Sequence, residues 1–349
     1  MTDATPARSL TAAELQHLDA HGYVIAKGIL TQGDFAAFEA DYSALIEVKA
    51  QELLALGAIA ELHVDAPFDR RLALIAAECR AADAADGSET DWIKGHIEPF
   101  GLALDTMYAR QKGLFELFFS PRLLACIASV VGPEVTLNPI QHCRPFLPAN
   151  AKGEQLRTGA ATLAPWHQDQ GVTREEADES NILTVWIPLT DVEKETGCLE
   201  LIPGQKKKGL LNHVKSHHGT TIDPAQLPSE DEAPRFHAAM EKGDMLLMHK
   251  FTPHRSQPNY TDKVRWSLDL RFQKTGEPTG RHFWPEFILQ SEAEPAKVQS
   301  DYAEWCARWI SDLKSSEGER WHRVAGDVGG NLPDGYSTAT GAQQAISAK

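Results

Sequence analysis

The chain has 349 residues, enough to bury a large core in one elaborated domain or in two smaller ones. It carries 34 Lys and Arg residues against 49 Asp and Glu, and the net charge of −15 argues against nucleic acid as its main partner. Its 5 cysteines are scattered without Cys-x-x-Cys spacing, which indicates reduced thiols. No apolar run approaches the ~18 residues that cross a bilayer, and residues 1–10 lack the apolar core of a signal peptide. These features predict a cytoplasmic protein without a membrane partner.

Residues 10–130 are predicted to be mainly helical and to act as a scaffold. Thr11 and Glu14 have the spacing of a capping box, at the start of a helix that should end near Gly22. Residues 23–26 then have the composition of a short strand. A second helix is predicted from Leu30 onward, because its apolar residues recur every three or four positions.

Short strands with Gly and Pro turns replace the helices from residue 131 to 275, interrupted by a polar, turn-rich insert at 205–235. The strand that begins near Val264 alternates strictly, and its polar positions are Arg265, Ser267, Asp269 and Arg271. This polar row could be a solvated outer face, or it could face a cavity if the strand closes a small barrel.

Helices followed by strands predict an α+β fold in which a helical layer packs on a β core. We expect that core to be a double-stranded β-helix, the jelly-roll or cupin-like barrel. Residues 1–330 are predicted to form one domain, with a C-terminal helical extension at 276–330. The tail at 331–349 is polar and rich in small residues, which predicts disorder.

The sequence His167-Gln168-Asp169 places an imidazole and a carboxylate two residues apart. On an extended chain these two side chains point to the same side and can converge on one ion. A third ligand must come from elsewhere, and His254 is the best candidate, with His249 as its rival beside the same strand. Two histidines and one carboxylate leave the opposite face of a metal open, as in non-heme Fe(II) oxygenases.

Arg265 lies eleven residues after His254, inside the alternating strand. A fixed cation there could hold a co-substrate that carries a carboxylate, since a guanidinium fork suits a carboxylate. An ordinary surface ion pair is the alternative. The order of His-x-Asp, His and Arg, each beside an apolar strand, favours the metal and co-substrate site.

Six short motifs occur in an order that resembles the phytanoyl-CoA dioxygenase family, over roughly residues 10–275. The motifs are His167-Gln168-Asp169, Trp186-Ile187-Pro188-Leu189, Gly197-Cys198-Leu199 with Pro203-Gly204, Gly243-Asp244, His254-x-Ser256-x-x-Asn259, and Arg265. The resemblance implies an iron(II)- and 2-oxoglutarate-dependent dioxygenase that releases succinate and CO2.

The same resemblance implies roles for individual residues. His167, Asp169 and His254 would be the catalytic metal ligands for Fe(2+). Arg265 would hold the distal carboxylate of 2-oxoglutarate with help from Ser256, while Gln168 and Trp186 would lie near the co-substrate. Apart from the resemblance, Asn138, His142 and Arg144 share one strand face that should line the cavity, and with Arg271 they are the predicted substrate contacts. Each could instead be structural: Asn138 and His142 as satisfied core polar groups, and Arg271 in a salt bridge with Asp269 or another acid.

The expected reaction is hydroxylation of a small or medium-sized metabolite with O2, by a monomer or homodimer. Asp169 favours hydroxylation over halogenation, because related halogenases replace this carboxylate with a small residue. Desaturation or demethylation with the same cofactors stays open. A cupin-type protein that binds a metal or ligand without 2-oxoglutarate is the other alternative, and Arg265 speaks against it.

Overall fold

The computed structural model describes residues 6–86, 91–150, 163–216 and 219–324. The predicted tail at 331–349 and residues 151–162 lie outside these ranges. Within the described ranges, the helices are α1 (Ala12–His21), α2 (Gln32–Ala55), α3 (Phe68–Asp86), α4 (Glu98–Ala103, preceded by a π-helical turn at Ile93–Ile97), α5 (Thr106–Ala109), α6 (Lys112–Phe118), α7 (Pro121–Val131), α8 (Asp169–Val172) and α9 (Tyr302–Ser315).

The strands form two antiparallel sheets and a hairpin. They are β1 (Tyr23–Ala26), β2 (Val135–Leu137), β3 (His142–Phe146), β4 (Leu183–Pro188), β5 (Leu199–Leu201), β6 (His213–Ser216), β7 (Gly219–Ile222), β8 (Phe236–His237), β9 (Met245–His249), β10 (His254–Ser256), β11 (Arg265–Lys274) and β12 (Phe287–Gln290). The large sheet has the order β1-β9-β4-β11-β2-β12, with β3 also paired to β11, and the small sheet has the order β10-β5-β8. Strands β6 and β7 pair with each other.

The N-terminal helices begin where the sequence predicts. Thr11 and Glu14 form the capping box of α1, and Gly22 ends that helix in the left-handed conformation with φ 80°. A second capping box, Thr31 with Asp34, opens α2. The strand β1 that follows α1 pairs with β9, so the helical segment also supplies an edge strand to the large sheet.

The strand β11 is the centre of the large sheet. Its apolar residues Trp266, Leu268, Leu270 and Phe272 are fully buried in the main core, against the helical layer. Its polar residues occupy the other face, and Arg265 and Ser267 there are 2% and 0% exposed. The polar row is therefore not a solvated surface; it faces the space between the two sheets.

A second apolar cluster joins the two sheets. Trp186 of β4 and Leu246 and Met248 of β9 pack with Leu199 and Leu201 of β5. The predicted β segment, 131–275, supplies most of both sheets. Strands β1 and β12 lie outside it, so the large sheet draws on all three predicted regions of the chain.

Among the described residues, no single helix combines the length and the apolar composition needed to cross a membrane. Helices α6 and α7 pass that test only as a pair, and they are bent by 46° where they meet.

Candidate metal and co-substrate site

His167 and His254 are held side by side by their own backbones. The N–H of His167 donates to the carbonyl of His254 (3.0 Å), and the N–H of His254 donates to the carbonyl of His167 (2.9 Å). Their ring centroids are 4.2 Å apart. Residues 87 positions apart in the sequence are thus fixed as neighbours by a reciprocal pair of hydrogen bonds.

Both imidazoles hold the same nitrogen against a backbone carbonyl. Nδ1 of His167 lies 2.8 Å from the carbonyl of Pro165, and Nδ1 of His254 lies 3.0 Å from the carbonyl of Thr252. A carbonyl can only accept, so each Nδ1 donates its N–H and each Nε2 is the nitrogen left to bind a metal. Hydrogen bonds of this kind orient metal-binding histidines.

Asp169 completes the cluster at the start of α8. One ligand atom from each of His167, Asp169 and His254 can be chosen so that all three lie within 4.8 Å of one another. Thr184 Oγ1 and Arg271 Nη2 each donate to a different carboxylate oxygen of Asp169, which is 2% exposed.

The charges of the cluster suit a cation. Burial lowers the pKa of His167 to about 3, with a further contribution from the neighbouring His254, so this imidazole is neutral at physiological pH. Burial opposes ionisation of Asp169, but the positive charge of Arg271 outweighs it and holds the pKa of that carboxyl below its usual range. Neutral imidazoles and an ionised carboxylate are the states in which these groups bind metals.

Arg265 shares a cavity of about 50 Å³ with His167 and His254. Its Nε and Nη1 are buried without a hydrogen-bond partner in the described parts of the chain. Its guanidinium carbon lies 4.4 Å from the ring centre of Phe146 and 5.5 Å from that of Trp186. Burial lowers its pKa to about 10, so the side chain remains a cation at neutral pH.

Two further predicted residues line this cavity. Ser256 belongs to β10, two residues after His254, and Trp186 belongs to β4 and is 2% exposed. The cavity is therefore bounded by a cation, a hydroxyl and an aromatic ring beside the three-residue cluster. A small dicarboxylic acid has the charge and polarity that such a lining can hold.

Arg144 and Arg271 lie between this cavity and a second one, and both are ion-paired. Arg144 Nε donates to Asp269 (2.5 Å), and Arg271 donates to Asp169. The prediction that Arg271 pairs with an acid is right, but the acid is Asp169, because Arg144 of the adjacent strand holds Asp269.

The second cavity, of about 170 Å³, is continuous in its lining with the first. Both are lined by Arg144, Ala164, His167 and Arg271. His142 also lines the second cavity, and its Nδ1 lies 2.9 Å from Asp105. Three other lining residues, Arg281, Trp284 and Trp321, were not predicted from the sequence. No motif marks them, and only the packing of the C-terminal extension brings them to this place.

Two predicted contacts are wrong. Gln168 has its amide fully used: Nε2 donates to the carbonyls of Gly209 (2.9 Å) and Phe251 (2.7 Å), and Oε1 accepts from Leu211 N–H (2.7 Å). Its side chain points to the side opposite those of His167 and Asp169, as alternation on an extended chain requires. It hydrogen-bonds Gly209 and Leu211 of the insert at 205–235, so it does not line the co-substrate cavity.

Asn138 is also occupied. It is fully buried, donates to Gln273 (2.7 Å) and to the carbonyl of Thr279 (2.9 Å), and accepts from the N–H of Ile140 (2.8 Å). It lies where the chain breaks between β2 and β3, and it does not share a strand face with His142. It is a satisfied core polar group and not a substrate contact.

His249 is excluded as the third member of the cluster. Its Nδ1 accepts from Phe251 N–H (3.1 Å), and its side chain lines a separate cavity of about 280 Å³ on the other side of β9. Along β9, Met245 and Leu247 face the main core. His249 lies on the same face, because side chains alternate along a strand, and this face is turned away from the space between the sheets.

Two histidines and one carboxylate, converging between antiparallel sheets, are the donor set of the 2-His-1-carboxylate class of non-heme iron proteins. The chain belongs to the phytanoyl-CoA dioxygenase family, whose model matches residues 18–267. This family uses Fe(II) and 2-oxoglutarate.

Similar proteins include a 1-deoxypentalenic acid 11-beta-hydroxylase from Streptomyces arenae, 33% identical over 137 residues, which are 36% of this chain and 47% of that protein. A peroxisomal phytanoyl-CoA dioxygenase from Mus musculus is 30% identical over 26% of this chain and 28% of its own length. The chain thus spans about half the length, or less, of these relatives.

Among solved structures, EvdO2 from Micromonospora carbonacea var. aurantiaca complexed with 2-oxoglutarate is 16% identical, with a TM-score of 0.49, over 84% of this chain and 99% of that chain. The epimerase SnoN in complex with Fe3+, alpha ketoglutarate and nogalamycin RO is 20% identical, with a TM-score of 0.47, over 77% of this chain and 86% of that chain.

Proposed function

We propose that the protein is an Fe(II)- and 2-oxoglutarate-dependent dioxygenase that hydroxylates a small or medium-sized metabolite. The observation that carries the proposal is the cavity that joins His167 and His254, beside Asp169, to the buried guanidinium of Arg265, whose Nε and Nη1 have no hydrogen-bond partner among the described residues. A metal protein without 2-oxoglutarate has no use for such a cation. Membership of the family and the hydroxylase name of one relative support the same activity.

His167, Asp169 and His254 would hold the iron, since their donor atoms, protonation states and spacing fit a divalent cation. Arg265 and Ser256 would hold the distal carboxylate of 2-oxoglutarate, with Trp186 as the wall beneath it. When bound, the iron would supply activation of O2, coupled to decarboxylation of 2-oxoglutarate. The protein's part is to bind the two reactants in order and to exclude water from a site that is buried between two sheets.

The proposed architecture is a double-stranded β-helix in which the large and the small sheet are the two layers. The shared apolar cluster and the His167–His254 bridge, which ties the loop before α8 to β10, support it. We also propose that residues 1–330 form one domain. The main core joins α1, α2, β11 and α9 in a single cluster, which supports that assignment.

The test is a titration of 2-oxoglutarate into anaerobic, Fe(II)-loaded protein, followed by the visible charge-transfer absorption of an iron-chelated 2-oxo acid. His254→Gln should abolish the band. His249→Gln is the matched control, because it removes a histidine from the same stretch outside the cluster, and it should keep the band. Tight metal binding with no band in the unaltered protein would overturn the oxygenase proposal and leave a cupin-type metal or ligand protein.

A further inference from the structure

The second cavity has a positive lining. Among the described residues, its charged or ionisable members are three arginines and three histidines, without an Asp or Glu: His142, Arg144, His167, Arg271, Arg281 and His322. Two of the arginines are already neutralised, Arg144 by Asp269 and Arg271 by Asp169. Arg281 is the arginine of this lining that forms no ion pair with a carboxylate among the described residues.

Arg281 is 2% exposed, and among the described residues its guanidinium donates only to the backbone carbonyls of Gly280 (3.0 Å) and Val172 (2.8 Å). Its Nε is buried without a hydrogen-bond partner in the part of the chain that the structure describes. The acid whose charge raises the pKa of Arg281 is Glu176, and Glu176 is already hydrogen-bonded to His282 (2.9 Å). A guanidinium buried without a counter-ion is costly, unless a ligand supplies the negative charge.

An apolar wall stands next to this cation. Trp284 and Trp321 meet edge to face, with ring centroids 4.5 Å apart, and the guanidinium carbon of Arg281 lies 5.9 Å from the ring centre of Trp284. Ile140 and Val172 extend the apolar part of the lining. A molecule that fills this space meets a cation at one point and hydrocarbon elsewhere.

We propose that the second cavity is the substrate site and that it selects an organic carboxylate with an apolar body. The carboxylate would pair with Arg281, and the carbon skeleton would lie against Trp284 and Trp321. His167 lines the same cavity, so the skeleton is held beside the proposed metal ligands. The assignment rests on the proposed function, and it adds the substrate class to it.

The size of the cavity narrows the class. About 170 Å³ suits the body of a compact alicyclic or aromatic acid rather than a long extended chain. Thioesters and methyl esters of the same acids lack the anionic end. They should therefore be poorer ligands of Arg281, because hydrogen bonds to a charged acceptor are roughly twice as strong as neutral ones.

Matched pairs of acids and primary amides test the proposal by calorimetric titration. Suitable probes are adamantane-1-carboxylate with adamantane-1-carboxamide, and cyclohexaneacetate with cyclohexaneacetamide. Each acid should bind at least tenfold more tightly than its amide. Arg281→Gln should bring the ratio close to one, whereas Arg281→Lys should keep part of the preference. Arg174→Gln is the matched control, since Arg174 pairs with Glu319 near this region and does not line the cavity.

Arg265→Met separates the two cavities. An acid preference that survives Arg265→Met and is lost in Arg281→Gln supports the assignment, and the reverse pattern would place the acid in the co-substrate cavity and overturn it. Equal binding of acid and amide by the unaltered protein would also overturn it, and that result needs no variant to fold. Tighter binding of matched phosphate monoesters than of carboxylates would overturn the choice of anion.

The result is independent of the oxygenase test. A charge-transfer band together with equal binding of acid and amide would leave the proposed function standing and sink the substrate class. An acid preference that depends on Arg281, with no charge-transfer band, would keep the carboxylate-binding site and overturn the proposed oxygenase function. Trp321→Leu adds a further check. The smaller side chain removes part of the apolar wall, so the binding of acid and of amide should weaken by the same factor.

Discussion

Replacing Arg265 by Met should separate co-substrate binding from folding stability. Burial lowers the pKa of Arg265 from 12.5 to about 10. Since one pKa unit corresponds to about 1.4 kcal/mol, keeping the charge buried costs the folded, ligand-free protein about 3 kcal/mol. Contacts of the guanidinium with the rings of Phe146 and Trp186 offset about 1 kcal/mol each. The metal-free variant should therefore be as stable as the unaltered protein, or about 1 kcal/mol more stable.

Binding of 2-oxoglutarate should respond in the opposite direction. A hydrogen bond to a charged group contributes roughly 1.5–3 kcal/mol, so losing a two-pronged contact should weaken 2-oxoglutarate on the order of 100-fold or more. Urea unfolding of the metal-free proteins and anaerobic 2-oxoglutarate titrations measure the two effects. Arg70→Met is the control, because Arg70 and its partner Asp262 are both exposed, so both effects should be small. A variant that loses several kcal/mol of stability and keeps its 2-oxoglutarate affinity would refute the reasoning.

Three further outcomes are expected. Thr184→Val should weaken Fe(II) binding about 10- to 100-fold in a competition titration with a chelator, because Asp169 loses a hydrogen bond that orients it; unchanged affinity would contradict this. Burial lowers the pKa of His249 to about 4, so between about pH 6.5 and pH 4 this histidine is protonated in the unfolded chain and neutral in the folded protein. The free energy of unfolding should therefore fall as the pH drops through this range. His249→Asn should flatten that slope in urea titrations, and an unchanged slope would count against it. Asn138→Ala should lower the free energy of unfolding by about 2–4 kcal/mol, since it leaves buried hydrogen-bonding groups without a partner. Asn212→Ala, at an exposed site, is the control. An equal loss of stability in both variants would argue against the role assigned to Asn138.

The sequence predicts those parts of the site that depend on the alternating direction of side chains along an extended chain. The polar row of β11 follows from period-2 spacing, and so does the shared direction of His167 and Asp169. The same rule points Gln168 to the opposite side, so its position was also predictable and was missed. Motif order, and not geometry, distinguished His254 from His249.

The rest depends on tertiary contacts that leave no local pattern. The break in the chain that places Asn138 in the core follows from the way β2 and β3 pair with β11 one after the other. Arg281 and the tryptophans of the second cavity lie on a segment without a motif. The partner of Arg271 was undetermined, because several acids in the sequence could have filled that role.

The reciprocal backbone bridge between His167 and His254 means that the geometry of the metal ligands is built when the chain folds. Many metal-dependent domains acquire their structure only when the ion arrives. Here strand pairing and the carbonyls behind each ring already fix both imidazoles. Removing the ion with a chelator should therefore empty the site and leave the fold standing, so that loading and unloading can be repeated on one folded molecule.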